Sequence, residues 1–98
     1  MTSTMKPEQL RQWIDEHFGG NQTRAAKAIG IAPQNLRLRL SGQRPITWWD
    51  RLMMSAIVAR TSPWRPLDRE EDDPNLSYRE RVLIQALDER IHPWPIEG

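Results

Sequence analysis

The chain has 98 residues, 28% of them charged, with a mean hydropathy of −0.73 and no cysteine. That length allows one compact core with an appendage rather than two full domains. The missing cysteines exclude disulfides and thiolate zinc sites, and no apolar run approaches the roughly 18 residues of a membrane span. The net charge of +1 is unevenly spread. Residues 1–60 carry nine Lys/Arg against four acids, while residues 61–98 carry five Arg against nine. Between Glu16 and Asp50 there are five basic residues and no acid. A basic stretch of this kind suits a polyanion, and the acidic tail suits a protein partner or a segment held off the polyanion.

Pro7 is suited to the first turn of a helix, and Leu10, Trp13, Ile14, His17 and Phe18 recur at helical spacing, so the pattern predicts a helix over 7–18. Gly19-Gly20 stops it. Asn21 is a candidate cap for a short second helix over 22–29, ended by Gly30. Pro33 opens a third helix that closes before Gly42, with Leu36 and Leu40 one turn apart. The Leu-Arg-Leu-Arg-Leu run also fits strand alternation, but its flanks are Gln, Asn, Ser and Gly, which favour the helix.

Thr47-Trp48-Trp49-Asp50 resembles a capping box with Asp in place of Glu, giving a fourth helix over about 47–60. Trp49, Leu52, Met53 and Ala56 form its expected core face. Met54 and Val58 form a second apolar pair, so the helix is expected to be covered on both sides. The segment 62–75, with three prolines and five acids, reads as a linker. Ser77-Tyr78-Arg79-Glu80 is a full capping box for a fifth helix running to about Ile91, with a stripe of Leu83, Ile84, Leu87 and Ile91. The expected fold is therefore all-α. It comprises a four-helix domain over 1–60 and, over 61–98, the linker and C-terminal helix.

Helix, tight turn and second helix in a basic, all-helical region have the layout of a helix-turn-helix DNA-binding unit. Gln22, Ala26, Ile29, Gly30, Ile31 and Leu36, followed by Ser41-Gly42-Gln43-Arg44-Pro45-Ile46, resemble the phage Cro and repressor (XRE-like) family over roughly residues 6–60. The resemblance implies a sequence-specific regulator, most simply a repressor of phage or mobile-element type, that binds double-stranded DNA as a homodimer in the bacterial cytoplasm. With Leu36 and Leu40 anchoring the third helix, Gln34, Arg37, Leu38 and Ser41 turn outward as candidate base readers, Leu38 pointing almost straight out. Arg39 lies on the opposite flank, toward phosphate or an acidic neighbour in the fold. Asn21, Gln22, Thr23, Lys27, Gln43 and Arg44 are the further candidates for phosphate contact. The family's usual polar cap is replaced here by Ala32.

Met54, Val58, Leu83, Ile84, Leu87 and Ile91 are candidate dimer contacts. Two readings of the C-terminal helix stay open: a dimer contact, or a lid over the fourth helix of its own subunit. A rival functional reading is an accessory module, antitoxin-like or anti-defence, that holds a protein partner through the acidic C-terminal part. His17 is expected to be a packing residue. No metal site, phosphate loop, dinucleotide fingerprint or nucleophile elbow is recognisable, so neither cofactor nor enzymatic activity is expected.

Overall fold

The computed structural model describes residues 4–64 and 76–96. The acidic run 68–73, on which the expectation of a protein partner chiefly rests, lies outside the described residues. The described chain is all-helical: α1 (Pro7–Phe18), α2 (Gln22–Ile29), α3 (Pro33–Leu40), α4 (Trp48–Val58) and α5 (Tyr78–Asp88). An antiparallel bridge between Met5 and Ile46, both buried, ties the N-terminal segment to the stretch after α3.

Local chemistry sets the helix starts. The Gln9 side chain accepts the Lys6 N–H at 2.8 Å, and Asn21 Oδ1 accepts the Arg24 N–H at 3.0 Å. Thr47 and Asp50 complete their box: Thr47 Oγ1 accepts the Asp50 N–H at 3.1 Å, and Asp50 Oδ2 accepts the Thr47 N–H at 2.9 Å. Ser77 Oγ accepts from the Glu80 N–H at 3.1 Å. Each bond satisfies a backbone donor that the first helical turn leaves unpaired. Gly30 ends α2 in the left-handed conformation, φ 86°.

One core joins all five helices. Leu10, Trp13 and Ile14 of α1, Ala25, Ala26 and Ile29 of α2, and Leu36 and Leu40 of α3 meet Leu52, Met53, Met54 and Ala56 of α4. Val82 and Ala86 bring α5 into the same cluster. The C-terminal segment folds back as well. The Trp94 N–H donates to the Arg51 carbonyl at 2.9 Å, while Arg51 Nε donates to the Trp94 carbonyl at 2.7 Å. The Trp94 ring lies edge-on to Trp13 and His17, so His17 serves in packing.

Three sequence expectations are corrected. Trp49 is not in the core but 47% exposed, although helical spacing puts it in the sector of Met53 and Ala56. It stands in the first turn and stacks perpendicular to the equally exposed Trp48, ring centroids 4.9 Å apart. Met54, a candidate dimer contact, is fully buried in its own chain because α2 and α5 both pack on α4; the expected second cover of α4 comes there from the C-terminal helix. On α5 the buried residues are Arg81, Val82 and Ala86, not the stripe of larger aliphatics. Leu83 and Ile91 pack partly against the core, Ile84 is half-buried, and Leu87 is 48% exposed. Small Ala86 and β-branched Val82 fill the α4–α5 contact, which leaves the longer side chains outside it.

Both late helices also stop earlier than expected. Arg60 and Arg90 take positive φ, 57° and 58°. The next amides, Thr61 and Ile91, then donate to the carbonyls of Ala56 and Ala86, each at 2.9 Å. This is the closure that glycine usually provides.

Candidate nucleic-acid interface

The candidate site is built on α2 and α3 and the turn between them. Gly30, Ile31 and Ala32 make the bend: the amides of Gly30 and Ile31 both donate to the Ala26 carbonyl, at 2.9 and 3.0 Å. Ala32 then extends (ψ 145°) ahead of Pro33, as the residue before a proline prefers. Leu36 and Leu40 are buried and fix which side of α3 faces inward. Gln34, Arg37 and Ser41, spaced three and four residues apart, are exposed along the opposite side.

Two of the expected contacts look different in place. Leu38 is half-buried rather than fully outward, and the loop after α3 closes on its carbonyl. The Gln43 and Arg44 amides donate to the Leu38 carbonyl at 2.9 and 3.2 Å, and Ser41 Oγ donates to the same oxygen at 3.0 Å. Arg39 is not held out toward phosphate. Its Nε donates to Asp50 Oδ2 at 2.9 Å and its Nη1 to the Asn35 carbonyl at 3.0 Å. The alternative reading of that flank, an acidic neighbour in the fold, is the one realised.

Asn21 at the cap of α2, Gln22, Thr23 and Lys27 on it, and Gln43 and Arg44 after α3, are all exposed. Asn21 already uses Oδ1 as the helix cap, so its amide nitrogen is the part available to a ligand. Arg24, Lys27, Arg37 and Arg44 make no ion pair among the described residues. Among the described residues, the carboxylate paired with α3 is Asp50. It is 3% exposed and held by Arg39, by Arg79 Nη2 at 2.7 Å on Oδ1, and by the Thr47 amide. Burial pushes this carboxyl up, but bonds from Arg39, the Thr47 amide and Arg79 together outweigh it and hold the group below its ordinary range. With two guanidiniums on one carboxylate, the cluster is net positive and does not offset the exposed basic residues.

Sequence reasoning did not find Asp50 and Arg79 as parts of this framework. A signal for Asp50 was present: it is the only acid between Glu16 and the linker. For Arg79 there was none, because its role depends on where α5 docks. There its Nη1 donates to the Ile29 carbonyl at 3.3 Å, and its side chain lies against Gly30 so closely that a Cβ at Gly30 would come within 2.6 Å of the Arg79 Cβ.

Of the interface described above, residues 16–41 match the family model described as bacterial regulatory protein, Fis family. The match runs from the end of α1 through α2 and the turn to the close of α3. No curated protein and no solved structure matches the chain. The chain therefore carries a helix-turn-helix DNA-binding motif, with α3 as its second helix.

Proposed function

We propose that the protein is a sequence-specific transcriptional regulator of the Cro/repressor type. In this reading it acts as a repressor of a phage or mobile element, with α3 in the major groove and two copies on one face of the duplex. The observation that carries the reading is the charge arrangement around the motif. Arg24, Lys27, Arg37 and Arg44 face solvent without a carboxylate partner among the described residues, while Asp50 is buried between two arginines. Such a surface attracts the phosphate backbone, and the Gln34–Arg37–Ser41 face supplies the base-edge chemistry: Gln pairs with adenine and Arg bidentately with guanine. One short helix reads few bases, so two copies about 34 Å apart are needed to reach successive major grooves. Ile84 and Leu87 of α5 and Val58 of α4 are the apolar residues of the expected contact set that remain open to a second copy.

Fluorescence anisotropy on duplexes from its own promoter region, between about 50 and 200 mM salt, tests the proposal. Affinity should fall steeply with salt. Lys27→Ala should reduce the slope of log K against log salt by about one without changing sequence preference. Arg37→Ala should cost about 1–3 kcal/mol on the preferred site and relax selectivity at a single base pair. Absence of salt-sensitive binding to any duplex would overturn the proposal.

A further inference from the structure

Arg79 lies outside the helix-turn-helix, on a helix joined to it through a segment rich in proline and acids, yet its guanidinium bonds two parts of the motif's framework and reaches a third through one of them. Nη1 bonds the last carbonyl of α2, at Ile29. Nη2 bonds Asp50 Oδ1 in the first turn of α4. Asp50 Oδ2 in turn holds Arg39 of α3, which reaches back to the Asn35 carbonyl on its own helix. One side chain of α5 thus bridges the end of the first motif helix and, through one carboxylate, the flank of the second.

We infer that Arg79 is a positioning residue for DNA reading: through Asp50 and Arg39 it sets the rotation of α3 about its axis. The inference rests on the proposal that α3 reads DNA, but its mechanical part does not. Three observations support it. Arg39 and the Thr47 amide bond Oδ2 of Asp50, while Oδ1 is bonded by Arg79, so losing Arg79 releases one oxygen and with it the carboxylate's rotation. Asp50 is buried, so neither oxygen can turn to bulk water when a partner is lost. Arg39 lies two residues from Arg37, about 200° around the helix, so a change in how Arg39 is held swings the reading face. Leu36 and Leu40 fix which side of α3 faces the core, but an apolar contact has no preferred direction and leaves the fine setting of the rotation to polar bonds. A directional pair of charged hydrogen bonds supplies what the leucines do not.

Arg79 is turned inward, its side chain 19% exposed and its two terminal nitrogens directed at the Ile29 carbonyl and Asp50. Loss of its charge should therefore act on specificity rather than on bulk electrostatic attraction. The variant to use is Arg79→Met, whose aliphatic stem can keep the contact over Gly30. The reference duplex is one selected from a randomised library by the unmutated protein, and the control is a scrambled duplex of equal length. Arg79→Met should lower affinity for the selected duplex about tenfold, leave affinity for the scrambled duplex nearly unchanged, and keep the same salt slope. Arg79→Lys, which can hold Asp50 but not Ile29 at the same time, should fall between.

Amide hydrogen exchange on the free protein provides the second readout. In Arg79→Met the amides of Arg37 to Leu40 should exchange faster, while those of Trp13 and Ile14 in α1 stay protected. Equal losses on both duplexes, or a reduced salt slope, would overturn the inference, because Arg79 would then be a stability or phosphate residue. Unchanged exchange in α3 would overturn it too. If the unmutated protein selects no sequence, the DNA-reading proposal fails on its own, and hydrogen exchange still decides whether Arg79 holds α3. Should Arg79→Met not fold, Arg79→Lys carries both measurements with the same signs.

Discussion

Asp50 serves two roles that usually fall to different residues. It closes the capping box of α4 by accepting the Thr47 amide, and it gathers Arg39 and Arg79 from two other helices. Its carboxyl is held below the ordinary value of about 3.9, so the unfolded chain takes up this proton more readily than the folded one. The resulting stability is fully present above the unfolded pKa and is lost as pH falls through the folded one. Urea midpoints should therefore drop on acidification below about pH 4. Asp50→Asn should be less stable at neutral pH by roughly 2–4 kcal/mol, since two guanidiniums would share a neutral amide. It should also show a shallower acid limb, because the group that titrates is gone. An acid limb of unchanged steepness in Asp50→Asn would assign the effect to other carboxylates.

The elements differ in how readable they were, and the differences follow from where their determinants lie. The starts of α2, α4 and α5 depend on side chains within three residues of the cap, so Asn21, Thr47 and Ser77 announce them. The ends of α4 and α5 depend on arginines in the left-handed conformation, where the sequence offers no glycine to mark the stop. Faces were legible where one surface is buried, as on α1 and α3. They were misread on α4 and α5, where α4 is covered by two neighbours and α5 buries small residues beneath larger exposed ones. Gln34, Arg37 and Ser41 could be derived as outward from the two leucines of α3, but the cover over Leu38 could not; Asp50, eleven residues from Arg39, was signalled only by being the one acid between Glu16 and the linker. α3 retains one local defect: Ala32 stands at its N-cap with no side-chain bond to the first turn. Ala32 is exposed and already extended, so Ala32→Ser should stabilise the protein by about 1 kcal/mol, read as a higher urea midpoint at unchanged m-value.

At the scale of the whole molecule, the C-terminal part is both a component of the core and a source of exposed apolar surface. Val82 and Ala86 fill the α4 contact and Trp94 packs on Trp13, so removing residues after Ser62 would open the core and confound any measurement of assembly. Surface substitution separates the two roles. Ile84 and Leu87 are one turn apart on α5 and neither is in the buried core, so Ile84→Glu with Leu87→Glu should leave the helical circular dichroism and thermal midpoint nearly unchanged. If two copies meet through this face, the double variant should be monomeric in light scattering at concentrations where the parent is a dimer. Its affinity for a two-site duplex should then fall toward that for a half-site. The exposed Trp48–Trp49 pair is the competing surface, and Trp48→Ser provides the contrast. A dimer lost in Trp48→Ser but kept in the double glutamate variant would move the interface to the start of α4. That site is close in sequence to the end of α3, so the change would alter the spacing at which two recognition helices reach the grooves. Half-site spacing in selected duplexes and the position of the disruptive substitution should therefore agree, and disagreement between them would exclude the α5 face as the contact that sets DNA register.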